Sequence, residues 1–139
     1  MTFSWRIAEQ TDFHKVNKLL IDAGQCWDKE HLYRRVVLPL FLEQLIIFED
    51  KDRLCGFLTY ALMNGVSACH QAAIGIVPAD WRSGEQLWVV DFVALGGDGD
   101  KMLAKLKEDI RNAVKSPLRW FRLKRKAIKR VELIQGDMA

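Results

Sequence analysis

An aspartate in the middle of an apolar, strand-like run constrains the fold more than any other residue of this sequence. The run is Leu87–Val93 and the residue is Asp91. A carboxylate buried without a partner costs roughly several kcal/mol, so we expect Asp91 to be paired or to have a function. A run that is apolar on both faces is typical of a central strand covered on both sides. The sequence therefore predicts a carboxylate held inside an α/β fold.

A glycine-rich loop follows this strand and leads into a segment with the apolar spacing of a helix. The loop spans residues 96–100, and the apolar positions after it are Met102, Leu103, Leu106, Ile110 and Val114. Spacings of three and four residues place these side chains on one face of a helix. Backbone N–H groups that point out of a loop and a helix N-terminus can bind an anion or an oxyanion. We therefore expect a cleft at the end of the Asp91 strand.

The remaining patterns predict short strands and helices around this strand. In chain order we expect a strand at 3–8, a helix capped by Thr11 or Asp12 and ended by Gly24, a helix at 28–42 that Pro39 kinks or splits, a strand pair at 45–48 and 54–62, a short strand at 72–77, and a closing hairpin of strands at 118–123 and 128–134. This order predicts an α/β fold, a single domain over residues 1–139 in which helices flank a mixed β-sheet. The GNAT-like acyltransferase fold has the same order and binds a thioester beside its central strand.

Length and composition are those of one globular domain. With 139 residues, of which 50% are hydrophobic, the chain can bury a core without disulfides or metals. No apolar run approaches the ~20 residues that span a bilayer, and the first residues lack the basic and apolar regions of a signal peptide. Cys26, Cys55 and Cys69 are odd in number and lack metal-ligand spacing. We therefore expect a cytoplasmic protein with reduced thiols, no membrane span and no metal site.

The C-terminal hairpin, at about residues 117–135, is strongly basic. Between Lys115 and Arg130 the basic residues have no acidic residue among them, although the net charge of the whole chain is only +3. Such a surface attracts an acidic protein, a membrane surface or nucleic acid. Nucleic acid is the weakest of these interpretations, because aromatic residues interleave with the basic ones only at Trp120 and Phe121. A solvated hairpin without a partner is the alternative.

A motif of tryptophans, glycines and aspartates surrounds the Asp91 strand. It reads Asp80-Trp81-Arg82-Ser83-Gly84, Trp88, Asp91 and Ala94-Leu95-Gly96-Gly97-Asp98. With Val37-Leu38-Pro39 upstream and the basic strand pair downstream, the chain resembles the RTX toxin-activating lysine acyltransferases over roughly residues 37–136. Its Leu95-Gly96-Gly97 differs from the family's usual Pro-Phe-Gly, so it resembles a divergent member.

This resemblance implies a GNAT-like fold and a protein-lysine acyltransferase. The family transfers a fatty acyl group from acyl carrier protein to the ε-amine of an internal lysine in a partner protein, as in toxin activation. It uses a histidine and an aspartate, and the aspartate matches Asp91. The histidine's position matches Gln25, so His31, six residues further on, is the candidate for its role, and His14 and His70 fit less well. Dimerisation, which is common in the family, is expected here too.

The resemblance also implies where the donor binds. In a GNAT-like fold a backbone N–H on the central strand holds the oxyanion, and the following loop holds the cofactor's phosphates. The residues implied for donor binding are Val93, Leu95, Gly97, Gly99, Arg119 and Arg122. The glycine loop lacks the spacing with which GNAT enzymes bind the coenzyme A pyrophosphate. The resemblance therefore favours acyl carrier protein over acetyl-CoA as the donor, with its acidic surface on the basic hairpin.

Other interpretations stay open. The chain could be a small acetyl-CoA-dependent N-acetyltransferase, or a catalytically silent GNAT-like module that binds or assembles proteins, which the missing histidine favours. Asp91 could have a purely structural role, capping backbone N–H groups or pairing with a buried arginine such as Arg82. The Ser83-Gly84 pair is better explained as a turn than as a nucleophile, and Trp81 and Trp88 are better explained as core residues.

Overall fold

A computed structural model describes residues 3–65, 75–113, 118–125 and 129–136, with side chains up to Asp109 except that of Gln86. Its helices are α1 (Phe13–Asp22), α2 (Lys29–Leu32), α3 (Leu38–Phe41) and α4 (Gly99–Ala113). Its strands are β1 (Ser4–Ile7), β2 (Leu45–Asp50), β3 (Arg53–Met63), β4 (Gln86–Ala94), β5 (Leu118–Arg125) and β6 (Lys129–Gly136). Short 3-10 turns lie at Gln10–Asp12 and Pro78–Trp81, and a π-helical turn at Tyr33–Val37 joins α2 to α3. None of the described helices is long and apolar enough to cross a membrane.

The strands form one six-stranded sheet in the order β1-β2-β3-β4-β6-β5. Each ladder between neighbouring strands is antiparallel, and parallel pairing is limited, among the described residues, to an isolated Leu62–Arg82 bridge. The predicted α/β class is confirmed, but the sheet is antiparallel where a mixed one was expected. The reason is the closing hairpin: it places β6 beside β4, so β5 runs parallel to β4 without being its ladder partner.

β4 lies near the middle of the sheet and is covered on both faces, as its apolar run predicts. On one face Val89 packs in a cluster with Met102 and Leu106 of α4. On the other face Val93 packs in a cluster with Val16 of α1. Burial of a side chain of this size contributes about 1.5–3 kcal/mol. The two helical layers therefore fix the position of β4 from opposite sides.

The second predicted helix continues past Pro39 by way of a π turn. Pro39 has no N–H, so the carbonyl of Arg35, four residues earlier, lacks its usual α-helical donor. In the π turn the Leu38 N–H donates to the carbonyl of Tyr33 instead. The sequence predicts a kink or a split here, and the structure interrupts the regular α-helix in this segment, with the π turn separating α2 from α3. Such turns are frequent at functional sites.

The short strand predicted at 72–77 is not formed in its described part. Residues 72–74 lie outside the described residues, and 75–77 are not in a strand. Gly75 has a φ of +90°, which is outside the strand region, and Pro78 begins the next turn without an N–H to donate. The other predicted helices and strand pairs, with the closing hairpin, are confirmed within a few residues of their predicted ends.

The motif at residues 80–84 builds the connection into β4. The Asp80 carboxylate accepts a hydrogen bond from the Val77 N–H at 3.0 Å, and the Ser83 hydroxyl donates to the Asp80 carbonyl at 2.9 Å. Trp81 is fully buried, as predicted for a core residue, whereas Trp88 is partly buried against the same cluster. The contacts of the Ser83 hydroxyl therefore support a turn rather than a nucleophile.

Gly84 is the tightest point of this connection. The N–H groups of Ser83 and Gly84 donate to the Leu62 carbonyl, at 2.7 and 3.0 Å, and hold the loop against the end of β3. A Cβ atom on Gly84 would overlap the backbone of Met63 and Asn64. Because backbone atoms cannot swing aside as the end of a flexible side chain can, only glycine fits here.

We expect Gly84→Ala to lower the free energy of unfolding by about 2 kcal/mol or more, since the loop or the end of β3 has to shift. Gly65→Ala is the matched control: a Cβ there meets no atom within 4 Å, and its effect should stay within about 0.5 kcal/mol. Urea denaturation followed by circular dichroism measures both variants. Equal stability of Gly84→Ala and the unmodified protein would contradict this account of the motif.

Candidate active site

Asp91 follows a β-bulge in β4. On β3, Thr59 pairs with Asp91 and Tyr60 pairs with Val89, so Val90 is an extra residue without a partner in that ladder. A bulge re-aims the side chains next to it. Asp91 consequently points to the face of the sheet that the α2–α3 segment covers. The carboxylate lies where this helical segment meets the strand.

β4 and β6 stop pairing beside this bulge. Their ladder consists of the pairs Trp88–Glu132 and Val89–Val131, whereas β3 accompanies β4 as far as Ala94. From residue 90 onward, the outer edge of β4 therefore has no ladder partner among the described strands. This stretch is the unladdered edge of β4. Backbone N–H and C=O groups on such an edge are available to pair with another group.

The backbone donors on the unladdered edge are those of Phe92 and Ala94. The Leu95 N–H donates to the Cys55 carbonyl at 2.9 Å and so points toward β3. Successive residues of a strand point their N–H groups to opposite edges, so Val93 also points toward β3, while Phe92 and Ala94 point outward. The oxyanion donor expected near Val93 to Leu95 stays a prediction, and within that stretch the outward N–H is that of Ala94. The sequence cannot give this phase, because the bulge sets it.

Asp91 is paired, as the sequence predicts for a buried carboxylate. Its residue is 8% exposed, and Arg35 Nη1 lies 3.0 Å from Oδ1 and 3.1 Å from Oδ2. The Asp91 N–H donates to the Thr59 hydroxyl at 3.2 Å. The suggested partner Arg82 is wrong: its Nε donates to the Gln44 side-chain oxygen at 2.7 Å instead. The expectation of an arginine partner is confirmed, but the residue is Arg35 rather than Arg82.

The structure brings His31 into the electrostatic range of this ion pair. The imidazole lies in α2, and its ring contacts Trp27 edge to face at 4.5 Å between ring centroids. Burial, followed by the positive charge of Arg35, holds the pKa of His31 below its ordinary value of 6.5, while the carboxylates of Asp91 and Asp28 oppose this shift. At neutral pH the ring is therefore uncharged and able to accept a proton.

Gln25, the position that the resemblance assigns to a histidine, belongs to the C-terminal cap of α1. Gly24 has a φ of +77°, and the Gln25 N–H donates to the Leu20 carbonyl at 2.9 Å, which is the bond pattern of a Schellman cap. Gln25 also lines a largely apolar cavity of about 350 Å³ with Trp27 and Leu32. A side-chain amide is not protonated near neutral pH, so Gln25 cannot act as a general base.

The glycine loop after β4 is shaped by packing and carries negative charge. Gly97 has a φ of +78° with open space around it, whereas a Cβ on Gly99 would lie 3.1 Å from the Phe92 ring. Asp98 precedes α4 and Asp100 lies in its first turn. Two carboxylates at a helix N-terminus oppose the binding of a phosphate there. Gly99 is accordingly explained by its contact with Phe92.

A cavity of about 350 Å³ with a cationic lining lies at the end of β4, beside Leu95. Its charged lining residues are Lys15, Lys18, Asp22, Asp52 and Arg53. The cations outnumber the acids, and they come from α1 and from the first residue of β3. The sequence does not predict this group, because its members are far apart in the chain and no local pattern links them.

The other candidate residues lie on other elements of the fold or outside the described residues. Arg119 and Arg122 are in β5 at the edge of the sheet, with β6 between them and β4, and their side chains are not among those described. His14 is exposed on α1, where its ring contacts Phe13, and His70 lies outside the described residues.

The described cysteines are free thiols. Cys26 is exposed and Cys55 is partly buried, and burial raises the pKa of the Cys55 thiol. Cys69 lies outside the described residues. Within the described ranges, no group of three or more His, Cys, Asp and Glu residues is arranged to hold a metal ion.

We expect NMR titration to give His31 a pKa below 6.5. Asp91→Asn should lower it further, because the carboxylate favours the imidazolium. The folded state disfavours the protonated ring, so the free energy of unfolding should fall as the pH decreases from about 6.5 through the folded-state pKa. His31→Gln should remove the part of this pH-dependent loss of stability that protonation of His31 causes. A pKa at or above 6.5, or an increase in Asp91→Asn, would contradict this picture.

Known proteins are similar to this chain in sequence and in fold. A profile of the RTX toxin acyltransferase family (HlyC) matches residues 22–135. Among solved structures, the loading GNATL domain of CurA from Lyngbya majuscula is similar, with a TM-score of 0.52 and 16% sequence identity, over 80% of this chain and 59% of that one. This chain thus spans well under two thirds of that structure, and at this identity the likeness shows the fold alone: GNAT-like. No curated protein matched the chain.

Proposed function

Since the chain belongs to the RTX toxin acyltransferase family, we propose that it transfers an acyl group from a thioester donor on acyl carrier protein to the ε-amine of a lysine in a partner protein, as in toxin activation. One observation carries this proposal. Asp91 is buried, is held by Arg35 and lies at the start of the unladdered edge of β4. The uncharged imidazole of His31 lies close enough for the charge of Asp91 to influence its pKa.

The reaction needs a proton acceptor and a place for an oxyanion. The lysine nitrogen attacks the thioester carbonyl carbon, and a C–N bond forms as the C–S bond breaks and the thiolate leaves. His31 accepts the proton that the amine loses, which typically accelerates such a step by about 10²–10⁴. The Phe92 and Ala94 N–H groups face the edge where the tetrahedral oxyanion would lie. Each such donor contributes on the order of 10²–10³ in rate.

The charges around β4 favour a carrier protein over acetyl-CoA as the donor. Asp98 and Asp100 occupy the helix N-terminus where a coenzyme A pyrophosphate would otherwise bind. The cationic cavity beside Leu95 lies on the opposite side of that strand end and suits the phosphodiester of a carrier-bound arm. The acidic surface of a carrier protein would also be attracted to the basic C-terminal hairpin.

A catalytically silent binding module is the second candidate. It is favoured by Gln25, which replaces the family's imidazole with an amide that cannot act as a base, and by the engagement of Asp91 with Arg35. In that case the cleft would bind a partner segment without turning over a donor. A small acetyltransferase would instead consume acetyl-CoA.

We expect Asp91→Asn and His31→Gln each to reduce lysine acylation by about 10²–10⁴, because each removes part of the proton-accepting pair. The assay incubates the protein with acyl-loaded carrier protein and a lysine-bearing partner and locates the acyl group by mass spectrometry. His14→Gln, an exposed residue on α1, is the control and should retain full activity. Partner binding without turnover would establish the silent module, and turnover of acetyl-CoA would establish the acetyltransferase.

We expect the double variant Lys18→Glu/Arg53→Glu to raise the KM for acyl-carrier protein by roughly tenfold at low salt, with kcat retained, because charge reversal weakens long-range attraction. The difference should shrink at high salt. Lys105→Glu/Lys107→Glu on α4, on the opposite face of the sheet, reverses the same number of charges and is the matched control. Equal losses in the two variants would show that only net charge matters and that the cavity is not the docking point.

A further inference from the structure

We propose that Arg35 is a positioning residue of the acyl-transfer site: it holds the Asp91 carboxylate against the helical layer and joins it to His31 in a three-residue cluster that replaces a histidine–aspartate pair. The kinetic part of this inference rests on the proposed function. Its structural part does not.

The backbone places Arg35 where it can serve both neighbours. Arg35 follows His31 by four residues, about one helical turn, so the two side chains leave the segment in similar directions. Arg35 lies within the π turn that Pro39 imposes, and it points to β4. The bulge at Val90 in turn directs Asp91 toward Arg35. The π turn and the β-bulge therefore lie on the two sides of the contact between Arg35 and Asp91.

The contact itself is made by one nitrogen. Arg35 Nη1 bonds both carboxylate oxygens, and the side chains are 22% and 11% exposed, so the pair is mostly withdrawn from water. A carboxylate held at both oxygens cannot rotate about its last bond without losing a bond. Because a single nitrogen makes both bonds, a lysine at position 35 can replace part of the contact.

The same ion pair influences the pKa of His31. The charged groups that face it are Arg35 on its own helical segment, Asp91 on β4 and Asp28 in the preceding loop. Of these, Arg35 has the largest influence and opposes protonation of the ring, whereas the carboxylates favour it. Arg35 thus keeps the imidazole free to take a proton even though a carboxylate lies nearby. Asp91 without Arg35 would favour the charged ring, which cannot act as a base.

The test compares Arg35→Gln and Arg35→Lys with a neighbouring arginine. Arg34 pairs with Glu30 at 2.8 Å, and both side chains are largely exposed, so Arg34→Gln is a matched control on the same turn. We expect Arg35→Gln to lower kcat by about 10²-fold, the size of a misplaced catalytic group, while KM changes little. Its His31 pKa, followed by NMR, should rise. Arg35→Lys should restore part of both properties, and Arg34→Gln should change neither.

If Arg35→Gln does not fold, a second variant tests the inference. Removal of Arg35 alone breaks the ion pair of a mostly buried carboxylate, whereas Arg35→Gln/Asp91→Asn removes both charges and should fold. His31 in that double variant should still titrate above its value in the unmodified protein, since Arg35 influences it more than Asp91 does. A folded Arg35→Gln, or the double variant, with an unchanged His31 pKa would overturn the inference, as would unchanged kcat in folded Arg35→Gln. If the unmodified protein transfers no acyl group, the proposed function fails, and the titration still decides the role of Arg35.

Discussion

The contact between Arg35 and Asp91 joins the helical layer to the central strand, and the candidate site depends on it. Loss of Arg35 would break the ion pair of this mostly buried carboxylate, and removal of one partner of a buried pair costs roughly 3–5 kcal/mol. With it, Asp91 is fixed at both oxygens at about 3 Å. The same guanidinium also biases the protonation of His31. One ion pair therefore supports both the architecture and the chemistry that we propose.

Two departures from regular secondary structure make this contact possible. Pro39 removes a donor and the segment before it becomes a π turn, while β4 gains an extra residue at Val90. Each departure gives up regular backbone pairing, and such features recur near functional sites because they re-aim individual side chains. In this protein they lie on opposite sides of a single interface. The family motif at residues 80–84 has a different task, since its contacts anchor the connection into β4.

The sequence predicts much of this fold, and its limits have physical causes. A carboxylate within an apolar run required a partner, and the structure supplies one; the identity of Arg35 was missed because the contact joins residues 56 positions apart through a π turn that helical periodicity does not encode. Local patterns predict the closing hairpin, but not which of its strands lies beside β4. Which N–H groups of β4 point to its outer edge does not follow from the sequence, because a bulge sets the phase of the strand. Lys15, Lys18 and Arg53 converge only in three dimensions.

The shortness of the ladder between β4 and β6 has a mechanical consequence. The paired residues there are Trp88 with Glu132 and Val89 with Val131, whereas β3 pairs with β4 along nearly its whole length. Among the described residues, separating β6 from β4 would therefore break fewer ladder hydrogen bonds than separating any other neighbouring pair of strands.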